Sequence, residues 1–105
     1  MSSVLVETRD RLGFLTLNRP EKLNTFSSEL ARELNDQLRL LDADLQIQVI
    51  IIKGAGRAFS TGIDISEFGG KSAQEYQQWI SLMDEMHLTI AGMAKPVIAM
   101  AQGFA

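Results

Sequence analysis

The residues best placed for chemistry lie in one glycine-rich segment, residues 54–68. It reads G-A-G-R-A-F-S-T-G-I-D-I-S-E-F and directly follows the apolar run V-I-I-I-K at residues 49–53. A glycine-rich loop that leaves the end of a buried strand can direct backbone N–H groups at a ligand. We therefore expect the segment to stabilise an anion through backbone geometry, without a reactive side chain.

Two phosphate-binding fingerprints do not fit this segment. The dinucleotide pattern G-x-G-x-x-G needs a third glycine where the sequence has Phe59. The P-loop needs Gly-Lys-Ser/Thr at its end, but Gly62 is followed by Ile63. We interpret Gly54 and Gly56 as a plain turn.

The second half of the segment is the candidate oxyanion site. Gly62 can take a positive φ and let a ligand approach the backbone. The N–H of Ile63 would then point outward, free to meet an oxyanion. Asp64 can accept hydrogen bonds from nearby backbone N–H groups and lock the turn, or cap a short helix after it. We assign Asp64 this structural role.

The strands that position the loop follow from the hydrophobic pattern. Residues 4–9 and 13–18 predict two strands, and residues 10–13 predict the turn that joins them in a hairpin. The continuous apolar run at 49–53 suits a strand that is covered on both faces. A last buried strand is expected at residues 97–101.

Two amphipathic helices are expected between these strands. The first begins near Ser27 as its N-cap. Its apolar stripe, at helical spacing, consists of Leu30, Leu34, Leu38, Leu41 and Leu45. The second begins at Ser72, which fits a capping box with Glu75, and ends at Gly92. Its apolar positions are Tyr76, Trp79, Ile80, Met83, Met86, Ile90 and Met93. The order of strands and helices predicts an α/β fold with parallel pairing after the hairpin.

Composition narrows the classes of protein that fit. The chain has 105 residues, 46% of them hydrophobic and 22% charged, with a net charge of −3. These values are typical of one modest globular domain, and the acidity argues against nucleic acid as a partner. No cysteine is present, which excludes disulfides, thiol catalysis and thiolate metal sites. Without a signal-peptide pattern or a membrane-length apolar run, we expect a cytoplasmic protein with no membrane partner.

Three motifs together resemble the crotonase (enoyl-CoA hydratase/isomerase) superfamily. Residues 58–65, A-F-S-T-G-I-D-I, are similar to its A-F-x-x-G-x-D-[IL] signature. Residues 15–26, L-T-L-N-R-P-E-K-L-N-T-F, resemble its L-N-R-P-x-x-x-N-[AS] segment. Residues 95–105, K-P-V-I-A-M-A-Q-G-F-A, resemble its K-P-x-I-A-x-[VI]-x-G-x-A segment. The resemblance covers nearly the whole chain and implies the N-terminal part of a crotonase-like fold of ββα repeats.

The resemblance implies a site for acyl-coenzyme A thioesters. In this family two backbone N–H groups polarise the thioester carbonyl and stabilise an enolate-like intermediate. The first donor falls at Ile63, positioned by Gly62. The substrate-binding residues implied are Lys22, Leu23, Arg57, Ala58, Thr61, Asp64 and Ile65. Coenzyme A arrives as part of the substrate, so no metal or other cofactor is implied.

Several of these residues have an equally plain structural interpretation. Arg57 is placed to meet a phosphate, but it also fits a solvated loop charge, and the same holds for Lys22. Trp79 and the methionines of the second helix are interpreted first as core and second as the cover of an acyl pocket. The single histidine, His87, lies on or beside the apolar stripe and is given no catalytic role.

The same resemblance places the second backbone donor and the acid/base carboxylates beyond Ala105. We therefore expect residues 1–105 to be the N-terminal part of a truncated domain and to be inactive alone. The parent would hydrate or isomerise acyl-CoA and form a homotrimer or hexamer. The alternative is a non-catalytic acyl-CoA-binding or assembly protein that kept the fold. The acidic groups at hand are interpreted as surface residues: Glu67, Asp84 and Glu85.

Overall fold

A computed structural model describes residues 2–62 and 72–101 of the chain. The elements, in order, are β1 (Val4–Arg9), β2 (Leu12–Leu17), a 3-10 turn (Pro20–Lys22), α1 (Ser28–Ala43), β3 (Val49–Gly54), α2 (Ala73–Ala91) and β4 (Val97–Met100). The strands form one sheet in the order β1-β2-β3-β4. β1 and β2 are antiparallel, whereas β2–β3 and β3–β4 are parallel. The α/β class and the parallel pairing after the hairpin are confirmed.

The hairpin turn is shorter than the sequence pattern predicted. Asp10 and Arg11 form the link, with φ angles of +51° and +67°. Positive φ at both central residues gives a two-residue turn whose twist matches that of the flanking strands. Leu12 already pairs with Arg9 in the ladder, so the predicted turn at 10–13 was too long by two residues.

Polar side chains fix both ends of α1. Ser27 is the N-cap, as predicted, and its Oγ accepts a hydrogen bond from the Leu30 N–H at 3.1 Å. At the other end, the Asp44 carboxylate accepts the N–H two residues on at 2.8 Å, which turns the chain out of the helix. Leu45 therefore lies outside α1 and is 96% exposed. Its predicted place in the apolar stripe is wrong, whereas the other four leucines are buried.

The core lies between α1 and one face of the sheet, with α2 packed on α1. Its buried members are Val4, Leu15, Leu17, Leu30, Ala31, Leu34, Leu38, Leu41, Ile47, Ile50, Ile52, Trp79, Met83 and Met86. The predicted capping box of α2 is present at Ser72 and Glu75. Tyr76 and Ile80 are more than a third exposed, because α2 packs mainly against α1 and buries only one narrow stripe. These two apolar positions of the second helix therefore lie outside its buried stripe.

The opposite face of the sheet, which we call the outer face, is covered by neither described helix, although Phe14 on this face is buried beneath the cations of Arg9 and Lys53. β3 alternates between buried inner residues and half-buried outer ones, so the expectation of cover on both faces is wrong there. β4 is an edge strand rather than a buried one, with Ile98 and Met100 51% and 50% exposed. Leu5 is exposed on the same face. Burial of both faces requires a second layer of structure, and both described helices pack on the inner side.

Lys95 connects the start of β4 to the end of α1. Its ammonium group donates to the carbonyl oxygens of Leu41 and Asp44, and its backbone N–H donates to the Asp42 carboxylate at 3.3 Å. The last carbonyls of a helix have no partner within the helix, and a cation is favourable at that end. This contact lies at the edge of the sheet where the parallel strands begin.

The charged residues of α2 lie on its exposed side. Asp84 and Glu85 are exposed, as predicted. Glu85 also accepts hydrogen bonds from Arg39 at 2.8 Å and Asn35 at 3.2 Å on α1. His87 is exposed as well, so it lies beside the buried stripe and not on it. The buried stripe passes through the preceding residue, and the next position on a helix faces a different direction.

Candidate active site

Two loops meet at the edge of the sheet where the parallel strands end. We call residues 18–26 the first loop and residues 54–62 the second loop. The first follows β2 and the second leaves β3, and Leu17 pairs with Gly54 at the ends of these neighbouring strands. In open α/β sheets, ligands bind outside the carboxyl ends of the strands. The topology therefore brings the predicted oxyanion segment beside the segment that carries Lys22 and Leu23.

Gly54 allows the second loop to fold back against the end of β3. A Cβ at this position would lie 2.3 Å from the Ala58 carbonyl oxygen, closer than real Cβ atoms approach any backbone atom. The Ala55 N–H donates to the Leu17 carbonyl at 2.9 Å and extends the pairing of the strands into the loop. Gly54 is thus required by a close backbone approach and not only by a turn. Gly56, with φ of +81°, fits the turn that was predicted.

Asn24 joins the first loop to the second. Its side chain is fully buried, at 0% exposure. Nδ2 donates to the carbonyl oxygens of Ala55 at 3.0 Å and Ala58 at 2.9 Å, while Oδ1 accepts the Arg19 N–H at 2.7 Å. Both amide protons and one oxygen lone pair are therefore used. The φ of Asn24 is +55°, a region in which asparagine is several-fold enriched over other side chains.

Ser60 and Phe26 hold the end of the second loop. The Ser60 hydroxyl donates to the Asn24 carbonyl at 2.8 Å and accepts the Gly62 N–H at 3.2 Å. The Gly62 carbonyl accepts the Phe26 N–H at 2.7 Å. Gly62 has φ of +102°, so the predicted positive φ is confirmed. An added Cβ would meet nothing within 4 Å, so glycine is needed here for its backbone angle rather than for space.

Four predicted substrate-binding residues lie beside this junction. Lys22 ends the 3-10 turn and is exposed, and Arg57 is exposed in the second loop. Leu23 is half-buried in the first loop, with φ of +53°. The Thr61 hydroxyl donates a long hydrogen bond of 3.5 Å to the Leu23 carbonyl. The two loops thus bring Leu23 and Thr61 into contact and leave polar groups of both loops open to solvent.

Of the four remaining predicted site residues, Ala58 is among the described residues and the other three are not. Ala58 is buried at 1% exposure, and its carbonyl is held by Asn24, so its methyl group offers no surface to a ligand in the described chain. Ile63, Asp64 and Ile65 lie outside the described residues, as does Glu67. Their predicted roles stay predictions.

Asn24 and Ser60 were not among the predicted site residues. Both lie inside the motifs that carried the family resemblance, but no spacing marks either as a link between loops. The hydrogen bonds of Asn24 join residues 31 and 34 positions apart. The one signal in the sequence was that an asparagine follows the Pro20 turn shortly afterwards, since asparagine tolerates left-handed backbone angles.

Residues 2–62 and 72–101 contain no group of three or more His, Asp or Glu side chains arranged to hold a metal ion. Within the same ranges, neither helix has the length and hydropathy needed to cross a bilayer.

Comparison with known proteins assigns the family. A profile of the enoyl-CoA hydratase/isomerase family matches residues 7–105. The hydroxycinnamoyl-CoA hydratase-lyase of Pseudomonas fluorescens is 35% identical, over 97% of this chain and 39% of that protein. The crotonyl-CoA hydratase of Syntrophomonas wolfei is 31% identical, over 98% of this chain and 40% of that protein. The crystal structure of enoyl-CoA hydratase from Thermoplasma volcanium superposes with a TM-score of 0.91 at 31% identity, over 98% of this chain and 41% of that one.

The chain therefore belongs to the enoyl-CoA hydratase/isomerase family of the crotonase superfamily, and it has the fold of the N-terminal portion of those proteins. It spans about two fifths of the length of the relatives it matches.

Removing the Asn24 side chain should strongly destabilise the chain. Asn24→Gly keeps a residue that tolerates positive φ but leaves one buried and one partly buried carbonyl and one N–H without the Asn24 side chain, and we expect a loss of about 3 kcal/mol in the free energy of unfolding. Asn24→Ala should lose about 1 kcal/mol more, because alanine is strained at positive φ. Urea unfolding followed by circular dichroism measures both values.

Asn18→Ala is the matched control for these variants. The Asn18 side chain donates to the Ser2 carbonyl at 3.2 Å in an exposed setting, so its loss should cost below about 1 kcal/mol. Equal stability of Asn24→Gly and Asn18→Ala would show that Asn24 does not hold the loops together.

Proposed function

We propose that the second loop carries the first donor of an oxyanion hole for an acyl-CoA thioester, the N–H of Ile63. The support is the way Gly62 is held, with its N–H bonded to Ser60 and its carbonyl bonded to the Phe26 N–H at 2.7 Å. A trans peptide group is planar, so a carbonyl and the N–H that follows it point in opposite directions. A Gly62 carbonyl that is fixed toward the first loop therefore favours a donor directed away from that loop.

The reaction proposed for the whole protein is hydration or isomerisation of an enoyl-CoA through an enolate-like intermediate. Negative charge develops on the thioester oxygen, and donors that are already in place stabilise it without reorganising. Losing one such donor typically lowers the rate by ~10²–10³. The names of two relatives, a crotonyl-CoA hydratase and a hydroxycinnamoyl-CoA hydratase-lyase, support an enoyl thioester as the substrate.

We propose that coenzyme A lies along the junction of the two loops. Lys22 and Arg57 are exposed on different loops and would meet phosphate oxygens, which cations bind through charge-assisted hydrogen bonds. Leu23 and Thr61, which touch each other, would meet the pantetheine arm. Asp64 and Ile65 join this set on the family resemblance alone. Ala58 would lie behind the coenzyme A path, where its carbonyl accepts a hydrogen bond from the Asn24 side chain.

We also propose that residues 1–105 are the N-terminal part of a longer crotonase domain. The second donor, the acid/base carboxylates and the contacts of a homotrimer or hexamer would lie elsewhere in that domain. The open outer face, with Leu5, Ile98 and Met100 about half exposed, supports a missing layer of structure, as does the coverage of about two fifths of each relative. The cytoplasmic location expected from the sequence stays part of this proposal.

The isolated chain of 105 residues should hydrate crotonyl-CoA negligibly, because one backbone donor without acid/base groups cannot complete the reaction. The assay follows the loss of the enoyl thioester absorbance at equal molar concentrations of this chain and the Syntrophomonas wolfei enzyme. Turnover close to that of the full-length enzyme would contradict the proposal that part of the catalytic apparatus lies outside residues 1–105.

A second prediction isolates the backbone donor. The unmodified chain should bind crotonyl-CoA saturably in an NMR titration, with the largest shifts in the two loops. Ile63→Pro removes the N–H and should weaken binding about tenfold, the value of one hydrogen bond. Ile63→Ala keeps the N–H and should lose far less. Equal losses in the two variants would mean that the side chain, and not the backbone donor, meets the thioester, and no saturable binding by the unmodified chain would contradict the proposed site.

A further inference from the structure

Ser60 is a buried hydroxyl whose hydrogen-bonding capacity is committed to the backbone. It is 7% exposed. Its O–H donates to the Asn24 carbonyl at 2.8 Å, and its oxygen accepts the Gly62 N–H at 3.2 Å. A serine nucleophile needs a neighbouring base to take its proton. The proton of Ser60 is directed at a backbone carbonyl, which cannot serve as that base, so the geometry does not suit covalent catalysis.

The same hydroxyl is the link between Asn24 and Gly62. Asn24 is held by Arg19, Ala55 and Ala58 through its side chain, which makes it a rigid anchor. Its carbonyl orients the Ser60 hydroxyl, and the Ser60 oxygen in turn receives the Gly62 N–H. The position of the Gly62 peptide thus depends on a chain of hydrogen bonds that starts in the other loop.

Gly62 is the residue that most needs such a link. Its φ is +102°. Glycine takes such an angle without strain, but it takes other backbone conformations about as readily. In the described part of the chain nothing lies within 4 Å of an added Cβ, so no contact there fixes Gly62 through a side chain. Its hydrogen bonds to Ser60 and Phe26 are the contacts that hold it among residues 2–62 and 72–101.

We propose that Ser60 is a positioning residue, which holds Gly62 so that the amide after it meets the thioester oxygen. The inference rests on the proposed oxyanion site and deepens it, since it names the side chain that sets the direction of the donor. Ser60 does not touch the substrate. Its effect on the donor passes through Gly62, so Ser60 should change how strongly the carbonyl is polarised, beyond the stability that its bond to the Asn24 carbonyl supplies.

Two readouts test the proposal on the chain labelled with ¹⁵N. The first needs no ligand: in Ser60→Ala, hydrogen exchange of the Gly62 amide should rise about tenfold, the factor expected for one lost hydrogen bond. The second uses crotonyl-CoA labelled with ¹³C at the thioester carbonyl. At saturation, the bound carbonyl resonance of Ser60→Ala should move back toward its position in free crotonyl-CoA. Ser60→Thr keeps the hydroxyl and should preserve both readouts even if the added methyl lowers stability.

Lys95→Met is the control for lost stability. It removes the contacts of Lys95 with α1 at the opposite edge of the sheet and should destabilise the chain while leaving the bound carbonyl resonance unchanged. An unchanged Gly62 exchange rate in Ser60→Ala, or a carbonyl shift that Lys95→Met reproduces, would overturn the positioning role. If Gly62 exchange rises in Ser60→Ala but no variant binds crotonyl-CoA, the link to Gly62 stands, while the oxyanion site and the role of Ser60 in it are both refuted.

Discussion

The buried side-chain amide of Asn24 is the contact on which the candidate site depends. The sheet brings the ends of β2 and β3 together, but its ladder ends at Gly54, where the second loop turns away. Beyond that point, the two loops are joined by the bonds of the Asn24 side chain to Ala55 and Ala58 and by the bond between Phe26 and Gly62. Ser60 and Thr61 add bonds to the carbonyls of Asn24 and Leu23. In a buried setting these bonds are strengthened by the low dielectric, and each group left without a partner is costly.

Glycine at the end of the second loop and hydrogen bonds around it have complementary effects. Glycine makes the required backbone angle accessible, but it also leaves the peptide free to take many others. The bonds to Ser60 and Phe26 select one of them before a ligand arrives. This is the physical requirement for a backbone oxyanion hole, in which the donors must be in place when charge develops. It also explains why such a site can work without a reactive side chain.

Features that depend on neighbours in sequence were predictable, and those that depend on distant partners were not. The helix start at Ser27 and the capping box at Ser72 are local patterns, and both are confirmed. Leu45 fits the helical period but falls outside α1, because the carboxylate of Asp44 ends the helix first. The apolar run of β3 could not reveal that its outer face lacks a covering layer in the described chain. At the site, the positive φ of Gly62 was predictable from its residue type, whereas its links through Ser60 and Asn24 were not.

The most direct measurement of the link between the loops is solvent exchange of the Asn24 side-chain amide protons, observed by NMR in the ¹⁵N-labelled chain. Both protons belong to a fully buried side chain and donate to backbone carbonyls at 3.0 Å and 2.9 Å, so they should exchange far more slowly than the side-chain amide protons of Asn18. Exchange of the Asn24 protons at the rate of Asn18 would mean that the amide is open to water and that the two loops are not joined through it.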